Sequence, residues 1–386
     1  MKTAFIYSEK FGAYYYGGEH PMRPVRLRLT YELMEALKLT GLPEARIVEA
    51  RQAHPRELQL FHTPEYLRVL KEANTGIIPV NGTAYGIGFG DNPVFSGMYE
   101  WSAYCAGASI QAAELVAGSE VDTAFNISGG LHHAMPGRAS GFCYINDAVL
   151  AIKHLVNQGK RVAYVDIDAH HGDGVEYAFY DTDAVLTVSL HESGQWIFPG
   201  TGFVTDIGIN EGRGFSVNLP FPPGAGDEVF VNGFDEIVPP FIEAFKPDVL
   251  VTQLGVDSFE TDPIAHLSLT TNGFETMVKR FRSFGLPWVA LGGGGYDMSN
   301  VSRAWAVAWA VMNRVKPPNT IPKEFIIKNG DIYRSSFLKD PPFKAIPLRD
   351  EDVSGLENDI KYLKEEVLPF VKKGRGVKKG GRQEKG

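Results

Sequence analysis

The chain has 386 residues, 44% hydrophobic and 22% charged, an ordinary globular composition that is long enough for a large core. Its net charge of −8 divides into a basic end of +6 over residues 372–386 and an acidic body of −14, which argues against nucleic acid as the main partner. No apolar run of about 18 residues is present to span a membrane. The start "MKTAFIYSEKF" has too short an apolar stretch for a signal peptide, and two cysteines, Cys105 and Cys143, suit a reducing cytoplasm.

In chain order, short apolar runs alternate with amphipathic ones. "VDTAFNISGG" (121–130), "RVAYVDIDAH" (161–170), "DAVLTVSLH" (183–191), "PDVLVTQLGVD" (247–257) and "LPWVALGGGGY" (286–296) read as buried strands that end in glycine or polar residues. Helices are expected over 147–159, 274–285 and 299–315. This rhythm predicts an α/β fold with a parallel sheet covered on both faces. Such sheets collect functional groups beyond the carboxyl ends of their strands. Residues 192–226, rich in Gly and Pro, read as a long functional loop. Residues 317–350 are expected to be irregular, 350–371 helical, and 372–386 a disordered basic tail.

"VAYVDIDAHHGDGVEYAF" (162–179) puts three carboxylates and two imidazoles within eight residues. Along an extended strand end Asp166, Asp168 and His170 share a side, but steps of roughly 6.6 Å per two residues keep all three from one ion unless the chain bends. Asp168 and His170 are therefore read as a ligand pair, with Asp257 as the third ligand from another strand. Two carboxylates, one imidazole and an open position describe a catalytic zinc site, and Fe(II) or Co(II) would also fit. In "SGGLHHAMPGRASGFCYIND" (128–147), His132 and His133 could serve as general base and acid, leaving Asp166 and Asp173 to orient one imidazole each. In "LGGGGYDMSN" (291–300), Tyr296 could donate to an oxyanion. His171 points to the opposite face and is read as structural.

These motifs, with "GEHPMRPVRLRLTYELM", "LFHTPEYL", "DNPVF", "VSLH", "FPGTG" and "QLGVDS", resemble the zinc-dependent histone deacetylase family over about residues 5–315. The likeness is to the class I type, and "HESGQWIFPGTG" resembles the acetoin-utilisation branch. The resemblance implies a single-domain arginase/deacetylase fold with a mainly eight-stranded sheet, a catalytic domain over 1–371 and an extension from about 317. It implies one zinc on Asp168, His170 and Asp257, with Asp166 behind His132, Asp173 behind His133, and Tyr296 polarising the substrate carbonyl. Phe142 and Phe198 would line a lysine tunnel with Gly141 beneath. Ile264, Gly294 and the rim carboxylate Asp91 would also contact substrate, though Gly90 replaces an aromatic often found beside that carboxylate. Arg26 would sit at an internal acetate exit. A potassium ion would be held by the Asp166 carboxylate, the Ser189 hydroxyl and carbonyls of Asp168, His170 and Leu190.

The expected activity is hydrolysis of N-acetyl-lysine on proteins, with acetylated metabolic enzymes as partners. An acetylpolyamine amidohydrolase is the alternative, and a non-catalytic acetyl-lysine reader is a reading of another class. Two-metal ureohydrolases share the fold, but Asp257-Ser258-Phe259 lacks the extra acid a second metal would need. Nothing in the sequence indicates an oligomeric state.

Overall fold

The computed structural model describes residues 2–88, 90–333 and 335–373. Eight strands, β1 (Thr3–Tyr7), β2 (Ala45–Glu49), β3 (Thr123–Asn126), β4 (Val162–Asp166), β5 (Val185–Glu192), β6 (Ser216–Phe221), β7 (Val249–Gln253) and β8 (Trp288–Leu291), form one parallel sheet. Their order is β2-β1-β3-β8-β7-β4-β5-β6. Every residue of β1, β3, β4, β5, β7 and β8 is buried, as expected where helices cover both faces of a parallel sheet. The long helices include Met98–Ala117 and Asp147–Asn157, which pack together, and Val25–Ala36, Thr271–Ser283 and Met298–Met312, which form a second packed group. The result is the α/β parallel-sheet architecture that the pattern predicts, in the single domain that the resemblance implies.

Three strands escaped the sequence reading. β1 is a five-residue run at the N-terminus, too short to stand out as a strand by its pattern alone. β2 has only half-buried and exposed residues at one sheet edge, so it lacks a continuous apolar run. β6 corrects the reading of 192–226 as all loop. It carries Pro220 opposite His191 at the other edge, where a missing N–H costs no ladder bond.

The predicted helices appear as Asp147–Asn157, Thr271–Ser283 and Met298–Met312. Among the described residues of 317–350 the irregular chain contains one short helix, Lys323–Lys328, and the terminal helix is interrupted by a π turn at Leu363–Val367. Of the basic tail, residues 374–386 lie outside the described residues.

Candidate active site

β4 ends at Asp166, earlier than the strand read over 161–170. Beyond it the chain bends. The Asp168 N–H donates to Asp166 Oδ1 at 3.1 Å, and the His170 N–H donates to Asp168 Oδ1 at 3.0 Å. These Asx-type turns supply the bend that a straight strand lacks. Asp257 arrives four residues after β7, its Oδ1 accepting the Ala169 N–H at 2.9 Å. His170 Nδ1 then lies 3.3 Å from Asp168 Oδ1 and 2.9 Å from Asp257 Oδ2.

One ligand atom from each of these buried residues lies within 4.8 Å of the others. Among the described residues this is the one such cluster. Burial, and then the charge of Asp168, push the Asp257 carboxyl up to about 6. Burial also opposes ionisation of Asp168, but His132 and His170 outweigh it and hold that carboxyl well below its usual range. Two buried carboxylates facing one imidazole edge call for a cation, so the donor set fits a metal ion.

Two groups that the sequence reading did not single out, Gln253 and Asp262, support the site, and Gly294, expected to contact substrate, touches the triad itself. Gln253 Nε2 donates to Asp168 Oδ2 at 2.5 Å, and the Gly294 N–H donates to the same oxygen at 2.8 Å. A methyl group on Gly294 would fall 2.0 Å from Asp257 Oδ2, so only glycine lets the 291–300 loop come this close. Asp262 accepts the N–H groups of Tyr296 at 2.8 Å and Ile264 at 3.1 Å. It thereby ties Tyr296 to the segment carrying Ile264. Gln253 ends an apolar strand and was visible as a buried polar residue; Asp262 had no such signal.

The two adjacent histidines each meet their own carboxylate. His132 Nδ1 is 2.8 Å from Asp166 Oδ2, and His133 Nδ1 is 2.7 Å from Asp173 Oδ1. Their Nε2 atoms lie 2.9 Å apart. With both Nδ1–H groups donating to carboxylates, that contact needs one Nε2–H, so the pair carries one positive charge. Burial lowers the affinity of His132 for a proton, yet Asp166, Asp168 and Asp173 outweigh it and raise its pKa to about 9. Burial and the neighbouring His132 lower His133 to about 4 against the pull of Asp173. Tyr164 donates to Asp166 Oδ2 at 2.6 Å. Buried Asp147 anchors the loop before the histidines by accepting the N–H groups of Gly130 at 3.0 Å and Leu131 at 2.8 Å.

Phe142 adopts φ 66° and sets its ring 5.5 Å from that of Tyr296. Phe198, 42% exposed, stands edge-on to His133 at 5.0 Å. Asp91 is exposed and lines a 320 Å³ opening together with Gly141 and Phe198. Ile264 is half-buried. Burial, then Asp257 and Asp168, push the Tyr296 phenol well above its usual pKa, which keeps its proton on.

Arg26 is buried and donates to the carbonyls of Gly295 and Gly293, both at 2.7 Å; its Nε has no partner. Asp166 is paired in register with Ser189, whose hydroxyl meets His191 Nδ1 at 2.8 Å, and Leu190 is buried in β5. His171 is buried beside Thr201 and His191, away from the triad.

The arrangement brings together a triad whose donors fit a cation, a histidine pair able to move a proton, and a protonated phenol. That is equipment for hydrolysing an unactivated carbonyl compound.

Residues 20–312 match the histone deacetylase domain. The chain is 39% identical over 334 residues to the acetoin utilization protein AcuC of Bacillus subtilis, covering 84% of this chain and 86% of that one. It is 40% identical over 327 residues to human histone deacetylase 1, covering 83% of this chain and 66% of that one. The solved structure of a histone deacetylase homologue from Aquifex aeolicus superposes with a TM-score of 0.85 at 34% identity, covering 93% of this chain and all of that one.

Proposed function

The chain belongs to the histone deacetylase family, and from that premise we propose that it hydrolyses N-acetyl-lysine side chains on proteins, using one zinc ion held by Asp168, His170 and Asp257. The observation that carries this reading is the convergence of the three buried ligand atoms on a histidine pair in which each ring has its own carboxylate. Zinc, when bound there, would supply Lewis acidity toward the acetyl oxygen and a water of lowered pKa.

His133, whose ring faces Phe198 and His170, takes the proton of the attacking water while Asp173 holds its Nδ1–H. His133 Nε2 is free for that proton once the Nε2–H of charged His132, backed by Asp166, turns to the leaving amine, so the pair gains one proton and gives one up. Tyr296 donates to the oxyanion as it develops. Phe142 and Phe198 flank the lysine stem above Gly141, and Gly294 and Ile264 complete the walls. Arg26, a buried cation, draws acetate inward. Potassium would be held by Asp166, Ser189 and the carbonyls of Asp168, His170 and Leu190. The likeness to an acetoin utilization protein favours acetylated metabolic enzymes of the cytoplasm as substrates.

The rim decides between proteins and acetylpolyamines. A peptide offers backbone N–H groups to Asp91, and a polyamine offers none. Charge-assisted bonds of this kind contribute roughly 1.5–3 kcal/mol each. Steady-state turnover of an acetyl-lysine peptide, acetylputrescine and acetylspermidine should show the peptide preferred. Asp91→Ala should lower peptide kcat/KM by about tenfold or more and leave the small amides nearly unchanged. Preference for an acetylpolyamine, insensitive to Asp91, would reassign the substrate.

A further inference from the structure

At the amino ends of β3 and β8, opposite the catalytic mouth, a groove gathers positive charge on an otherwise acidic body. Lys279 and Arg282 come from helix Thr271–Ser283, Arg314 and Lys316 follow helix Met298–Met312, and Lys339 comes from the C-terminal extension. All five line one cavity of 390 Å³. Arg282 and Arg314 also line a second cavity of 440 Å³, walled by Leu286, Pro287 and Asp122.

The charges are only partly neutralised locally. Glu275 pairs with Lys279 at 2.7 Å and Lys339 at 2.9 Å, and Asp122 accepts the Lys2 N–H at 2.7 Å. Arg282 gives one N–H to the Val311 carbonyl at 2.9 Å. Among the described residues no ion pair joins a carboxylate to Arg282, Arg314 or Lys316. Five cations against two carboxylates leave +3. The C-termini of the two helices contribute about half a negative charge each, so roughly +2 remains. Arg314 sits at φ 60°, where a helix end more often uses Gly or Asn, and its side chain lines both cavities.

We propose that this groove binds a small organic polyphosphate of nucleotide size. Two guanidinium groups and a lysine suit phosphate oxygens, and the apolar wall at Leu286 and Pro287 suits a heterocycle. The volumes fall in the usual range for small-ligand sites. The acidic body repels an extended polyanion but not one short enough to stay within the groove. The inference is independent of the deacetylase reading.

The test is calorimetric titration of the metal-loaded full chain with ATP, pyrophosphate and a single-stranded oligonucleotide at physiological ionic strength. ATP is expected to bind saturably and more tightly than pyrophosphate. Arg314→Glu with Lys316→Glu, both exposed positions, should weaken ATP by about tenfold or more. The same variant should keep the melting temperature, and its deacetylase kcat/KM without added anion should stay within about twofold. Polyphosphates also chelate metal ions, and the variant controls for this because its metal site is intact. Equal ATP binding by wild type and variant, or no ATP binding at all, would overturn the proposal. Pyrophosphate matching ATP would remove the nucleotide assignment. Oligonucleotide binding tighter than ATP and lost in the variant would hand the groove to nucleic acid instead.

Discussion

Gly141→Ala adds one methyl group at the floor of the opening, and its effect can be worked out from the surrounding atoms. Gly141 has φ 49°, and the new carbon would stand 2.5 Å from His133 Cδ2 and 2.8 Å from Phe198 Cε1. Ordinary carbon contacts lie at about 3.5–4.0 Å, so the imidazole must retreat by about 1 Å. His133 cannot do so while keeping its 2.7 Å bond to Asp173 and its 2.9 Å contact with His132. A displacement of this size at a reacting group costs about 10² in rate. The left-handed backbone adds about 1–2 kcal/mol of strain, which lowers the melting temperature by only a few degrees in a chain of this length. Steady-state deacetylation of an acetyl-lysine peptide, alongside thermal denaturation and metal content, should therefore show kcat/KM down about a hundredfold in a folded, metal-loaded protein. A variant within about threefold of wild type would refute the claim that His133 must hold this position.

Two further outcomes are expected. Tyr296→Phe removes only a hydroxyl, and kcat should fall by about 10²–10³ with little change in KM, as for other oxyanion donors; an unchanged kcat in steady-state assays would rule out the role. His62 is buried and held down at about 4 by burial; its Nδ1 meets the Met135 carbonyl and its Nε2 accepts the Asn146 N–H. Because its folded pKa lies below the unfolded value, the neutral ring's contribution is complete above about pH 6.5 and is lost as pH falls toward 4, by up to about 3 kcal/mol. Urea denaturation of wild type and His62→Gln across pH 4–7 should show the variant with the shallower slope, and parallel slopes would contradict this.

The chemistry of the site was more legible in the sequence than the fold that carries it. Asp168, His170 and Asp257 stood out because charged groups at the ends of apolar strands need a reason to be there. The structure places their ligand atoms within 4.8 Å of one another. The spacing argument left Asp166 out of the ligand set, and Asp166 faces His132 instead. The edges of the sheet were hidden because β2 is half exposed and β6 contains Pro220, so neither shows the uninterrupted apolar run of a central strand. Gln253 shows in the sequence only as a polar residue closing an apolar strand, and Asp262 shows no signal, because the partners each holds are distant in sequence. No local pattern encodes such a partner. The helix Thr271–Ser283 and the segment after Met312 each read as ordinary amphipathic ends. Only their convergence with Lys339 reveals the basic groove.

The central claim is that one metal ion at Asp168, His170 and Asp257 enables amide hydrolysis. The direct measurement is metal content by mass spectrometry, paired with acetate release from an acetyl-lysine peptide, for chelated protein titrated with zinc. Activity should be absent in the stripped protein, return in proportion to added zinc, and saturate at one equivalent per chain, while Asp257→Ala should neither retain the ion nor recover. Full turnover by the stripped protein, or a requirement for two equivalents, would contradict the account.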